Sequence, residues 1–293
     1  MRRAICLLLS LTALSLCGCG VRRHEKLVIG SKFFTEQVVL GELLAQHIEA
    51  KTGIRVERKS NLGGTLLVQK ALLSGDLDLY VEYTGTALTA VLGEKPEGDS
   101  EAVYQRVKQE YEKRFGLEVT EPLGFENTFA MVIRGQDARR FHLQKTSDIT
   151  SLAPRWKIGV GYEFVERPDG FSGWSRRYGL HFAEAPKEMD LGLLYRALTE
   201  KQVDIVAGNS TDGVIAARDL VILEDDLHYF PPYDAVPIVR QDALARFPGL
   251  RAALADLAGK ITADEMRRMN YAVDGEQRDV AAVVRAFRRQ KGL

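Results

Sequence analysis

"GGTLLVQKALLSGDLDLYVEYTGT" (residues 63–86) decides the fold. A glycine pair opens it. Apolar Leu66, Leu67, Val68, Ala71, Leu72 and Leu73 then recur at helical spacing until Gly75 stops the helix. The run "LDLYVEY" that follows reads as a strand, and Thr84-Gly85-Thr86 turns into the next helix. The same grammar returns in "LGLLYRALTEKQVDIVAGNSTDG" (residues 191–213): helix, polar break, Asp-led strand, turn. Upstream, "KLVIGSKFFTEQ" (residues 26–37) opens with a strand at Leu27 to Ile29. Ser31 or Thr35 caps the helix after it, whose apolar face is Val38, Val39, Leu43, Leu44 and Ile48 and whose end is Gly53. "IRVERKS" supplies a second strand. The order β-α-β-α-β implies a parallel sheet covered by helices. "WKIGVGYEF" (residues 156–164) resembles the opening strand and starts a second unit of the same kind.

The chain is therefore expected to be an α/β protein of two similar lobes. "ENTFAMVIR" (residues 126–134) and "YDAVPIVR" (residues 233–240) read as two extended segments crossing between them, and the tail from Gln241 reads as helical. The expected bounds are 26–127 for the first part of lobe 1, 128–232 for lobe 2 and 233–293 for the return to lobe 1. Two lobes with two crossovers leave a cleft that can hinge shut.

The first residues read as a processing signal. Arg2 and Arg3 precede the apolar run "AICLLLSLTALSL" (residues 4–16), which is short for a bilayer span. "LCGC" follows, and small residues before a cysteine resemble a bacterial lipobox. Cleavage after Gly18 would leave Cys19 to carry the lipid and residues 19–25 as a tether; Cys17, with Leu16 before it, fits less well. An ordinary secretory signal is the other reading. Cys6 and Cys17 leave with the signal, so no thiol remains for a disulfide, a nucleophile or a zinc site. The chain carries 40 Lys and Arg against 40 Asp and Glu. No basic stretch supports nucleic-acid binding.

Motifs of catalysis are missing from the sequence. There is no P-loop, no His-Glu-x-x-His and no Gly-x-Ser-x-Gly, and the five histidines lack metal-ligand spacing. "GVGYEF" is a strand end and no dinucleotide fingerprint. The expectation is a protein without catalysis, cofactor or metal.

Ligands of open parallel sheets sit beyond the carboxyl ends of the strands. Tyr83 lies at such an end, with Thr84, Gly85 and Thr86 starting a helix beside it. A helix start favours an anion, and a ring beside it suits a methylated cation held by cation–π attraction. Read on the pattern alone, Tyr80 and Tyr83 can equally be core aromatics above a plain cap.

Six segments, "GSKFFTEQ", "DLDLYVEYTGT", "GFENTFAM", "GYEFVERPDGF", "YRALTEKQVDIVAGNSTDG" and "LEDDLHYFPPYDAVPIVR", come in an order that resembles the glycine betaine/choline-binding proteins of osmoprotectant ABC importers. The resemblance runs from Lys26 to about Gly292. It implies a type II periplasmic-binding fold, an aromatic cage with rings from both lobes, and a lipid-anchored monomeric receptor that hands a quaternary-ammonium ligand to a permease and its ATPase. Tyr83 matches the first cage position and Tyr233 the last. Phe129 stands where the family usually has tyrosine, and Asn209 where it often has one. Asn209 gives up a π face and gains an amide. This puts plain glycine betaine in doubt and keeps open choline, carnitine or a larger betaine such as ergothioneine; the alternative is a turn residue with no ligand contact. Thr86 is placed at the cleft, with Gln37 and Asn127 at its rim and Thr211 at the equivalent turn of lobe 2. Asp212 is expected to cap the helix after it. Glu163 and Arg167 either approach the cleft or pair with other groups, and Lys32 and Arg240 are taken as surface or hinge residues. A receptor for another polar, amino-acid-like solute and a ligand sensor with a signalling partner are the rival functions.

Overall fold

Residues 26–95 and 99–293 are described by a computed structural model. The segments expected to be a signal and a tether, with Cys19, lie outside them. Among the described residues no helix is long and apolar enough to cross a membrane.

Among the described residues ten strands form two five-stranded sheets. β1 (Leu27–Gly30), β2 (Val56–Lys59), β3 (Leu79–Tyr83), β4 (Leu117–Val119) and β10 (Ala235–Arg240) make the first, in the order β2-β1-β3-β10-β4. β5 (Phe129–Arg134), β6 (Ile158–Val160), β7 (Lys187–Glu188), β8 (Ile205–Asn209) and β9 (Leu220–Leu223) make the second, in the order β7-β6-β8-β5-β9. In each sheet three strands run parallel, and the next strand runs antiparallel between two neighbours. The sheets thus repeat one layout, with β3 matching β8 and β1 matching β6.

The segments read as crossings are, for most of their length, interior strands. β5 pairs with β8 and β9, and β10 pairs with β3 and β4. Apart from Phe129 and Arg240 at their ends, their side chains, Met131, Val132, Ile133, Val236 and Ile238 among them, are all but fully buried. A strand buried on both faces also needs hydrogen-bond partners on both edges, and only a sheet interior supplies these. The true crossings are the short stretches just before each strand. They run side by side: Glu126 and Asp234 form an antiparallel bridge, and the Asn127 N–H donates to the Tyr233 carbonyl at 3.1 Å.

The two faces of β3 divide its residues as a period of two requires. Leu79, Val81 and Tyr83 join the core under helix Thr35–Thr52 and the C-terminal helices, while Tyr80 enters the core with Val68 and Leu72 of helix Thr65–Ser74. Helix Thr35–Thr52 buries Val39, Leu40, Leu43, Leu44 and Ile48, with Val38 only half-buried. Each such side chain contributes about 1.5–3 kcal/mol. Neither Ser31 nor Thr35 caps this helix: Phe34 is the N-cap residue, and the Thr35 hydroxyl donates instead to Asp274 at 2.6 Å. The tail folds as helices Gln241–Arg246, Leu250–Ala255, Ala263–Asp274 and Val280–Lys291. The last two pack on helix Thr35–Thr52.

Candidate functional site

β1, β3, β6 and β8 all end at one hollow between the sheets. It encloses about 580 Å³, counted out to its open mouth, and takes walls from both halves of the chain.

Of the residues expected at the site, Tyr83, Thr86, Asn127, Phe129, Asn209 and Tyr233 line the hollow. Gln37 and Thr211 do not. Gln37 is buried behind the wall and donates to the Tyr83 hydroxyl at 3.1 Å. Thr211 is fully buried, and its carbonyl accepts from Asn270 at 3.0 Å. Tyr80 belongs to a core and hydrogen-bonds Gln69 at 3.0 Å. The turn Thr84–Thr86 does not offer all its N–H groups to the cleft: that of Thr84 donates to the Asp234 carbonyl at 3.0 Å. Gly85 serves close approach. A Cβ there would stand 2.7 Å from the Pro232 carbonyl and 2.7 Å from the Tyr233 ring.

The rings form two groups. Phe129 meets Tyr233 edge-on at 6.2 Å and Phe164 at 4.8 Å. Phe34 stacks on Tyr83 at 6.4 Å. Tyr83 and Tyr233 both donate their hydroxyls to carboxylates, Tyr83 to Glu36 at 2.7 Å and Tyr233 to Asp169 at 2.5 Å. A phenol that donates to an anion has a more electron-rich face, which strengthens its hold on a cation.

Two cations share the hollow. Lys32 is 2 % exposed, pairs with Glu82 at 2.5 Å, donates to Thr65 at 3.2 Å and lies 4.9 Å above the Tyr83 ring. It is therefore no surface residue: an ammonium this deep needs its charge partner and its hydrogen bonds. Arg167 gives Nε and Nη2 to Asp169 at 2.9 and 2.5 Å and lies 4.8 Å over Phe129. It does both things considered for it, entering the cleft and pairing. Arg240 stays away from the hollow and ties helix Thr65–Ser74 through the Leu72 carbonyl at 3.0 Å. Burial alone would raise the Asp169 carboxyl, but the Arg167 guanidinium and the Tyr233 hydroxyl outweigh it and hold it below the usual range.

Another carboxylate ties the halves. Glu163, from the second sheet's side, accepts from the Thr65 N–H at 2.7 Å, where Gly64 leaves room for it. Glu36 accepts from Tyr83, from Asn127 at 2.9 Å and from Asn270 at 2.9 Å. Burial pushes its carboxyl up against the pull of these donors. Asp212 caps no helix; Gly213 is the residue before helix Val214–Ala217. Its carboxylate turns back to the end of β8 and accepts from the Asn209 N–H at 2.9 Å and from Tyr195 at 2.5 Å.

Lys32, Phe34 and Tyr162 also line the hollow and were not read as site residues. Their signal was position. "SKFF" follows β1 and "GYEF" follows β6, as "TGT" follows β3, so the strand-end rule covered them all. The chemistry assembled is a cleft with π walls and two cations already neutralised by carboxylates. Among the described residues no group of three or more His, Cys, Asp or Glu is placed to hold a metal.

Residues 25–290 match the family model OpuAC, described as the substrate binding domain of ABC-type glycine betaine transport systems. The chain is 35 % identical over 281 residues to the carnitine transport binding protein OpuCC of Listeria monocytogenes, covering 95 % of this chain and 91 % of that protein. It is 32 % identical over 287 residues to the ergothioneine transport permease/ergothioneine binding protein EgtU of Helicobacter pylori, covering 98 % of this chain and 51 % of that protein. A crystal structure described as a glycine betaine/carnitine/choline ABC transporter superposes with a TM-score of 0.76 at 32 % identity, over 91 % of this chain and 99 % of that one.

Proposed function

Because this chain belongs to the OpuAC family of ABC-transporter substrate-binding domains, we propose that it captures a quaternary-ammonium solute of the glycine betaine, carnitine or choline kind and delivers it to a permease. The observation that carries the reading is the meeting of Tyr83, Phe129 and Tyr233, from both halves of the chain, at one hollow. The methylated cation lies against these faces, each contact contributing about 0.5–2 kcal/mol. A ligand carboxylate goes to the cations. Asp169 takes Nε and Nη2 of Arg167 and leaves Nη1. Glu82 and Thr65 take two of the three Lys32 N–H groups and leave the third. Thr86 adds a hydroxyl. Gln37 and Thr211 support the wall from behind.

The protein works outside the cytoplasm, as receptors of importers do. In the full reading Cys19 carries a lipid, the body from residue 26 is a tethered monomer, the lobes run 26–127 with 233–293 and 128–232, and the closed form docks on the permease while a separate ATPase drives transport. It performs no chemistry on its ligand. A second reading of the same cleft, a larger betaine such as ergothioneine, is favoured by Asn209 at a position where the resemblance leads one to expect a ring.

A thermal-shift panel with choline, glycine betaine, carnitine and ergothioneine tests the ligand class. A ligand at a hundred times its Kd adds about 2.7 kcal/mol of stability. If all four leave the melting temperature unmoved, the class is wrong. Mass spectrometry of membrane-extracted protein, with Cys19→Ala as control, tests the anchor.

A further inference from the structure

Asn209 closes β8 as Tyr83 closes β3, and it stands opposite Phe129 in the register of the second sheet. The two ends of an amide have one shape and opposite polarity, so the end that meets the ligand decides what the ligand must bring. Asp212 settles which end that is. Its Oδ2 accepts from the Asn209 backbone N–H and from Tyr195, and its Oδ1 faces Asn209 Nδ2 at 3.4 Å. An ionised carboxylate only accepts. Turning the amide over would set its oxygen against a carboxylate oxygen, so Nδ2 is held back and Oδ1 is left for the cleft that Asn209 lines.

Asn127 repeats the arrangement on the same cleft. Its Nδ2 is tied to Glu36 at 2.9 Å, and its Oδ1 is buried with no partner. A buried acceptor without a partner is costly. The trimethylammonium group supplies no donor to either oxygen.

We infer that Asn209, oriented by Asp212, presents a carbonyl oxygen to the ligand and so selects quaternary-ammonium zwitterions or alcohols that carry an O–H or ring N–H donor over those without one. This rests on the quaternary-ammonium reading above and narrows it. The donor is a hydroxyl, as in carnitine or choline, or a ring N–H, as in ergothioneine. A ligand without one leaves the oxygen unpaired and binds about tenfold or more weakly.

Titration calorimetry at pH 7.5 on matched pairs tests it: L-carnitine against γ-butyrobetaine, choline against its O-methyl ether, and ergothioneine against its ring-N,N′-dimethyl derivative. In the unaltered protein at least one donor-bearing member should bind tenfold tighter than its mate. Asn209→Ala should bring that ratio within threefold. Asp212→Asn should bring it down or reverse it, since an amide at 212 lets Asn209 turn its Nδ2 to the cleft. A ratio is read on one protein, so a general loss of folding or closure cancels. Ratios within threefold in every pair, or a ratio unchanged in both variants, overturn the inference while leaving the ligand class standing. If none of the six compounds binds, the ligand class fails and this inference with it.

Discussion

Asp212→Asn should make the protein more stable at alkaline pH and alter little near pH 4. Burial lifts the Asp212 carboxyl from 3.8 to about 6; hydrogen bonds from Tyr195 and Asn209 pull it back, and the charge of Glu36 adds to the lift. The unfolded chain titrates this group near its ordinary value. A folded-state value above the unfolded one means that the folded form prefers the proton. The stabilising contribution is therefore complete below about pH 4 and is lost as pH rises through about 6. A gap of about two pH units corresponds to about 3 kcal/mol lost by pH 8. That figure is a ceiling, because Asp212 keeps part of its surface exposed. Asparagine keeps an acceptor for Tyr195 and has no proton to lose. Urea unfolding from pH 4.5 to 8 measures the effect. The difference between variant and parent should grow by about 2–3 kcal/mol in the variant's favour across that range. Two parallel curves would refute the argument.

Phe129→Ala removes a ring from the cage and should weaken a quaternary-ammonium ligand by about 1–2 kcal/mol, roughly tenfold, with the fold retained; calorimetry with the tightest ligand of the panel reads it. Asp169→Asn leaves the Arg167 guanidinium deep in the protein without its partner, at 9 % side-chain exposure, and should cost about 3–5 kcal/mol in urea unfolding; a loss under 1 kcal/mol would show that solvent reaches Arg167. Gly85→Ala drives a methyl at the Tyr233 ring and the Pro232 carbonyl. It should destabilise by about 1–3 kcal/mol and lower affinity as well, and an unaltered Kd would mean that the ring can yield without harm to the cage.

Much of the architecture could be read from the chain because its signals are local. Helix Thr65–Ser74 and β3 follow from spacing within 24 residues, and Leu191–Thr199 with β8 repeats them. The crossings were overestimated because Phe129–Arg134 shows β-formers and says nothing of how many neighbours they meet. Lys32 was misplaced for a different reason. A lysine in a strand-to-helix turn reads as solvated charge, and what buries it, Glu82 and Thr65, lies 50 and 33 residues away. Asp212 had two local options, a helix behind it or a strand end before it. Tyr195, seventeen residues upstream, joins the Asn209 N–H in holding it to the second. Tyr83, Phe129 and Tyr233 could be named by resemblance, but the carboxylates that hold their hydroxyls or neighbouring cations could not. Glu36 and Asp169 look like ordinary surface acids in the sequence.

The bridge between Glu126 and Asp234 is flanked by three backbone hydrogen bonds, Asn127 N–H to the Tyr233 carbonyl, Ala235 N–H to the Phe125 carbonyl and Leu123 N–H to the Ala235 carbonyl. Sliding one crossing along the other would break all three of these bonds. Tyr233 stands directly beside this joint, and its hydroxyl is held by the opposite half through Asp169. One ring of the hollow's wall is thus fixed to the crossings by its backbone and to the second half of the chain by its hydroxyl. A fluorinated tyrosine at position 233 would therefore report any change in how the two halves meet around the ligand.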